Sequence, residues 1–252
     1  MKHLKLITLL LLTTSFLSLA QTKVKKEMYE LREYEMRYGS PQSNLDNYLK
    51  NALLPALNKY GVKNVGVFRE VGKSDPAKIY LLIPFPSMEE YNGIMEKVKA
   101  DEDFKKNSQD YNNLPPDKAP YARITTSFMN AFDGLPKLIV PSQEPRIFEI
   151  RTYESYGEDA ARRKIKMFND SELGIFVRAK LNSVFFGEVI AGEHIPCLTY
   201  MVTFKNMEER DANWKVFGAD PEWKKISTSP EYANAMNRII RVFLEPLAYS
   251  QI

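Results

Sequence analysis

Two short segments carry the same three chemically capable side chains at the same spacing: Glu30, Arg32 and Tyr34, then Glu149, Arg151 and Tyr153. Alternate residues of a strand share a face, so each trio would set a carboxylate, a guanidinium and a phenol side by side. Such a group can orient an anionic or phenolic ligand. Glu and Arg two apart can also neutralise each other at a contact between sheets, where buried charge must be paired, and that structural role is the expectation here. Glu188, in Phe185-Phe186-Gly187-Glu188, is a further candidate acid or base, with Tyr153 beside it in that role and Arg151 steering an anionic substrate. Phe186, Trp214 and Trp223 could wall a small-ligand cleft or fill a core. His194, between Gly192-Glu193 and Ile195-Pro196, is expected on an exposed turn, where a base or haem ligand would lack a pocket. Cys197 lies in an apolar run and reads as a small core residue. Arg178 and the run Arg162-Arg163-Lys164 read as a solvated helix face. No phosphate-cradling glycine loop, zinc-spaced Cys/His set or nucleophile elbow is present, so no metal or cofactor is expected.

The elements that must hold these residues come from a duplication. Tyr29-Glu-Leu-Arg-Glu-Tyr-Glu35 returns as Phe148-Glu-Ile-Arg-Thr-Tyr-Glu154, displaced by 119 positions. Phe85-Pro-Ser-Met-Glu-Glu90 returns as Phe204-Lys-Asn-Met-Glu-Glu209 at the same displacement. So does Ala100-Asp-Glu-Asp-Phe-Lys-Lys106, as Ala219-Asp-Pro-Glu-Trp-Lys-Lys225. A period this long belongs to a domain-sized unit rather than a solenoid repeat. Units at 28–132 and 147–252 are therefore expected, with a Gly/Pro-bearing linker at 133–146.

Each copy runs strand, helix, strand, strand, helix, strand, the α+β order of a ferredoxin-like split βαβ unit. The first helix is expected over 44–60, bent by Pro55, with its counterpart over 158–180. Ser87 with Glu90 forms a capping box for the second helix. The central strands carry little charge on either face, so the face not covered by helices should meet the other copy's sheet. The two units would then form an α+β barrel with helices outside.

Composition sets the class and the address. The chain of 252 residues is 44% hydrophobic and 27% charged, an ordinary globular balance. Lys2 and Lys5, the apolar stretch to Leu19 and the small residues before Gln21 read as a cleaved secretory signal over 1–20. Export to the periplasm or beyond follows, with no membrane span after cleavage. Loss of two lysines leaves a formal charge of +1, which gives no electrostatic case for nucleic acid.

The opening Phe148-Glu-Ile-Arg-Thr-Tyr-Glu154, the run Thr203-Phe-Lys-Asn-Met-Glu-Glu-Arg210 leading to Asp220-Pro-Glu-Trp223, and Met167-Phe-Asn-Asp-Ser-Glu-Leu-Gly-Ile-Phe176 together resemble the NIPSNAP family, as a tandem exported bacterial member. The resemblance implies a dimeric α/β-barrel fold, here completed within one chain, so that a monomer with an internal pseudo-dimer is expected and a homodimer stays open. It supplies no catalytic set. Two functions remain: binding of a small apolar or aromatic ligand in a cleft of the second unit, or chemistry of the cofactor-independent monooxygenase or isomerase type.

Overall fold

The computed structural model describes residues 24–252 apart from 143 and 145, so the segment read as a signal lies outside the described residues. The first copy comprises β1 (Met28–Met36), α1 (Ser43–Tyr48), a π-helical turn (Leu49–Leu53), α2 (Leu54–Lys59), β2 (Gly66–Glu70), β3 (Lys78–Phe85), α3 (Met88–Ala100), α4 (Glu102–Asn107), α5 (Gln109–Asn112) and β4 (Tyr121–Ala131). The second comprises β5 (Ile147–Glu154), α6 (Glu158–Met167), a second π turn (Phe168–Glu172), α7 (Leu173–Arg178), β6 (Asn182–Ala191), β7 (Cys197–Phe204), α8 (Met207–Ala219), α9 (Pro221–Ser227) and β8 (Arg238–Pro246).

The strands form one closed barrel in the order β1-β3-β2-β8-β5-β7-β6-β4. Both halves contribute four strands in the same internal order, but two sheets laid face to face is an incomplete description, because the outer strands also pair. β2 joins β8 through Phe68↔Pro246 to Glu70↔Leu244, and β4 joins β6 through Phe128↔Ala191 to Ala131↔Gly187. At the second seam a Cβ on Gly187 would lie 2.7 Å from that of Met129, so glycine permits the close approach. The barrel interior is filled by alternate residues of the strands, among them Tyr29, Phe68, Phe148, Phe185, Met201 and Leu244.

Helix ends follow local chemistry. Ser87 Oγ accepts from the Glu90 amide at the start of α3, and Asn206 Oδ1 from the Glu209 amide at the start of α8. Asp101 and Asp220 cap α4 and α9 in the same way. At Pro55, where a bend was expected, the helix is regular, and the interruption is a π turn just before it. Both copies carry a π turn at equivalent positions, and the second has Gly174 where the first has Pro55, so the proline is not its cause. In a regular helix residues eight apart sit about 80° out of phase, and the extra residue of a π turn cancels most of that offset. Leu45 and Leu53 thereby share one buried line, and so do Lys164 and Glu172.

Candidate functional site

Along β5 the residues Phe148 and Ile150 point into the barrel, while Tyr153 packs into the aromatic core beneath the helices of the second copy. Period-two geometry puts Glu149 and Arg151 on that helix-covered face as well. The expectation that the trio serves a contact between sheets is therefore corrected. Alternation separates two faces of a strand, but here both are buried, and residue types alone did not say which faces the helices.

On this face the strand register stacks the residues in rows. Arg151 is paired with Tyr200, which is paired with Phe186, and the next row holds Tyr153, Leu198 and Glu188. Phe186 and Tyr200 stack at 4.8 Å. The layer is closed by Phe168 and Phe176, by Trp214 on α8, and by Trp223 on α9. Arg151, Tyr153, Phe186, Trp214 and Trp223 thus lie in one layer. Glu188 shares the row of Tyr153 but stands two strands away and exposed, so it is not brought to Arg151.

Glu149, fully buried, is the centre of the polar part. It accepts from Arg151 Nε at 2.7 Å, from Arg210 Nε and Nη2 at 2.9 and 3.0 Å, and from Trp214 Nε1 at 3.0 Å. Burial alone would raise its pKa, but the Arg210 hydrogen bonds, the Arg151 charge and the Trp214 donor hold it below the ordinary value. Arg151 lies 3.9 Å over the Trp214 ring and donates through Nη1 to the hydroxyls of Tyr153 and Tyr200. Those hydroxyls are 2.8 Å apart. Burial pushes both phenols upward, that of Tyr200 well above its ordinary value. Neither is set to give up a proton near neutral pH.

Lys164 corrects a further expectation. It is 4% exposed, not part of a solvated face, and forms an ion pair with Glu172, which is 1% exposed. Its ammonium lies 4.8 Å from the Phe168 ring centre and 5.5 Å from that of Trp223. Burial raises the carboxyl of Glu172, and Lys164 only partly offsets this. The corresponding positions of the first copy are Leu45 and Leu53, both buried. Likewise Tyr200 corresponds to Leu81, Phe168 to Leu49 and Trp214 to Met95. The first copy keeps Glu30, Arg32 and Tyr34, the first two joined at 2.6 and 2.9 Å. One fold position filled by leucine in one half and by an ion pair in the other is a departure that packing does not require. The signal was present in the sequence as a displacement of 119 that sets charge against leucine.

Two depressions flank this layer. A cleft of about 430 Å³ opens at its Tyr153 end, lined by Glu158 and Ala161 of α6, Glu188 and Val189 of β6, and Ile195, Pro196 and Cys197. Glu188 makes no side-chain hydrogen bond or ion pair among the described residues. A groove of about 490 Å³ lies at the other end, between Leu135 and Ile139 of the segment joining the copies and Leu173 and Val177 of α7. His194 sits on the turn between β6 and β7, half-exposed, with Nδ1 2.8 Å from Glu154. It does not line the cleft. Cys197 is buried and its thiol is pushed up to about 12 by burial and by Glu154. We expect iodoacetamide at pH 7.5 to label it at least about 100-fold more slowly in the folded protein than in urea, read by mass spectrometry. Equal rates would show an accessible thiolate.

Among the described residues no group of three or more His, Cys, Asp or Glu is placed to hold a metal, and no helix is long and apolar enough to cross a membrane.

Solved structures share this architecture. A putative monooxygenase from Fusobacterium nucleatum superposes with a TM-score of 0.56 at 9% identity, over 89% of this chain and 94% of its own. One from Lactobacillus acidophilus does so with a TM-score of 0.56 at 11% identity, over 88% and 94%. At such identities the likeness is one of fold. A NIPSNAP-like domain protein from Burkholderia xenovorans matches 43% of this chain with 90% of its own, at 17% identity and a TM-score of 0.38. No curated protein matches the sequence. The family model described as NIPSNAP matches twice, over residues 29–116 and 148–251, in register with the two copies and with the shared Glu-x-Arg-x-Tyr near the start of each segment. The chain belongs to the NIPSNAP family.

Proposed function

We propose that the second unit, at 147–252, binds a small, mainly apolar or aromatic molecule in the cleft between α6 and the sheet. The observation that carries this reading is the 430 Å³ opening itself, with apolar walls from Ala161, Val189, Ile195 and Pro196 and the carboxylate of Glu188, which has no side-chain partner among the described residues. A cleft of that size with one or two placed polar groups suits a ligand of about the size of one or two rings. Glu158 and Glu188 add a preference for a ligand bearing an amine or another donor. Position supports it too: Ala161 is one helical turn from Lys164, and Leu198 alone separates Glu188 from Tyr153 along the row, so the cleft abuts the layer in which the second copy departs from the first.

In this reading each half is a ferredoxin-like unit, 133–146 is a linker, and the chain completes its barrel without a partner. If residues 1–20 are removed as a signal, the ligand is met outside the cytoplasm. The monooxygenase- or isomerase-type alternative has less to stand on. It asks Arg151 and Tyr153 to act on a substrate, whereas both are engaged with buried partners and stand apart from Glu188.

Native mass spectrometry after incubation with a mixed set of aromatic amines, quinols and lactones tests the proposal. One class should be retained, most strongly the amines, and Glu188→Gln should weaken retention about tenfold or more. Retention of no compound, or retention indifferent to both Glu188→Gln and Ala161→Met, overturns it.

A further inference from the structure

A second departure between the copies lies on the first unit, remote from the cleft. The displacement of 119 holds as far as Lys106 and Lys225, yet the last strands correspond at 115, since Ile124 stands opposite Tyr34 as Ile239 stands opposite Tyr153. The first copy therefore carries four extra residues between α4 and β4, and α5 falls in that stretch. Asn107, Asp110, Tyr111 and Leu114, in and beside it, form one side of a groove of about 270 Å³. The other side is Asn44, Asn47, Tyr48 and Asn51, from α1 and the π turn.

The equivalents of three of these asparagines in the second copy are Arg163, Lys166 and Asp170. There the same region is tied shut: Arg163 Nη1 donates to the carbonyls of Glu231 and Ala233, and Lys166 pairs with Asp170 and Glu231. In the first copy the charges at these three positions are gone, the two walls meet where Tyr48 stacks on Tyr111, and the side-chain amides of Asn47, Asn51 and Asn107 have no protein hydrogen bond among the described residues. Tyr48 and Tyr111 stack at 4.0 Å and 11°, and Phe104 meets the edge of Tyr48, so the aromatic wall is held in place.

We propose that this groove is a binding site for a neutral sugar, about one pyranose ring in size. An asparagine amide offers a donor and an acceptor together, the pattern that adjacent hydroxyls of a sugar can meet, and four of them converge here. No cation lines the groove, which removes the attraction an anion would need, and Asp110 is its one carboxylate. The amides disfavour a wholly apolar ligand, because it would leave them without partners. Tyr48 and Tyr111 cover one face of each other, and the ring surface they leave to the groove is the apolar patch that the C–H groups of a sugar can meet.

Saturation-transfer NMR of the full chain with glucose, galactose, mannose, N-acetylglucosamine, maltose and cellobiose is the test. At least one sugar should receive saturation, with a dissociation constant on the order of 1 mM. Asn51→Leu with Asn107→Leu, both exposed positions, should weaken it at least about tenfold, while Glu188→Gln leaves it unchanged. The proposal is overturned by no transfer to any of the six, or by transfer that survives in the double variant. Loss of sugar binding in Glu188→Gln would also overturn it, since that residue belongs to the other cleft.

Discussion

Replacing Lys164 by leucine should cost about 3–5 kcal/mol in urea denaturation at pH 7, because it leaves the carboxyl of Glu172 buried without its partner. Glu172→Leu should cost a similar amount by stranding the ammonium. The double variant Lys164→Leu/Glu172→Leu should return to within about 1 kcal/mol of the wild type or exceed it, since a buried ion pair exchanged for packed apolar side chains is often neutral or favourable. The first copy has performed that exchange with Leu45 and Leu53 on the same π-turned helix. A double-mutant cycle gives the coupling directly. Singles that cost less than about 1 kcal/mol, or a double variant worse than either single, would show that the two side chains are not a closed pair. Should the double variant be stable and lose the ligand of the adjacent cleft, the pair is there for recognition rather than for folding.

Glu149→Gln should be the most damaging single change on the strand side of the layer, costing about 3 kcal/mol at pH 7. It removes the one negative charge that Arg151 and Arg210 share, leaving Arg210 with the exposed Asp211 alone and Arg151 with no carboxylate partner among the described residues. Its pH dependence has a definite sign. The carboxyl of Glu149 is held below its ordinary 4.5 in the folded state, so its stabilisation is complete above about pH 4.5 and is lost as pH falls through the lowered folded value. Glu172 runs the other way: its folded pKa is raised, so it favours the folded state at low pH and that favour is lost as pH rises through the raised value. The gap between wild type and Glu149→Gln should therefore narrow steadily below pH 4.5, as followed by denaturation at several pH values. A gap that stays constant to pH 3 would mean that Glu149 does not titrate in that range and that its depressed pKa is not the source of its effect.

The duplication, the order of elements and the family were legible because they rest on recurrence, and recurrence survives substitution. Tyr29 to Glu35 and Phe148 to Glu154 keep their register whatever packs around them. The side on which Glu149, Arg151 and Tyr153 project was not legible, since the opposite face of β5, with Phe148 and Ile150, is no less buried. Lys164 was misplaced for a different reason. Beside Arg162 and Arg163 it reads as one more surface cation, and its burial follows from a change in helical phase. That change comes from the π turn, which is a property of backbone hydrogen bonding with no residue signature, since Leu49–Leu53 and Phe168–Glu172 have no motif in common. Glu188 was singled out as a candidate acid or base, and its distance from Arg151 depended on strand pairing across β7, which no local pattern encodes.

The two seams that close the barrel have a consequence for how such a protein can change over time. In a symmetric homodimer every substitution occurs twice, so a lysine suited to one site must be tolerated at its symmetry mate. Covalent joining of the halves removes that constraint while β2·β8 and β4·β6 keep the geometry of the pair. Each half is then free to drift under its own selection. The leucines beneath one π turn and the charges beneath the other, with an inserted helix on one side alone, are what such freedom leaves behind: a pseudo-twofold scaffold whose two sides can take up separate trades.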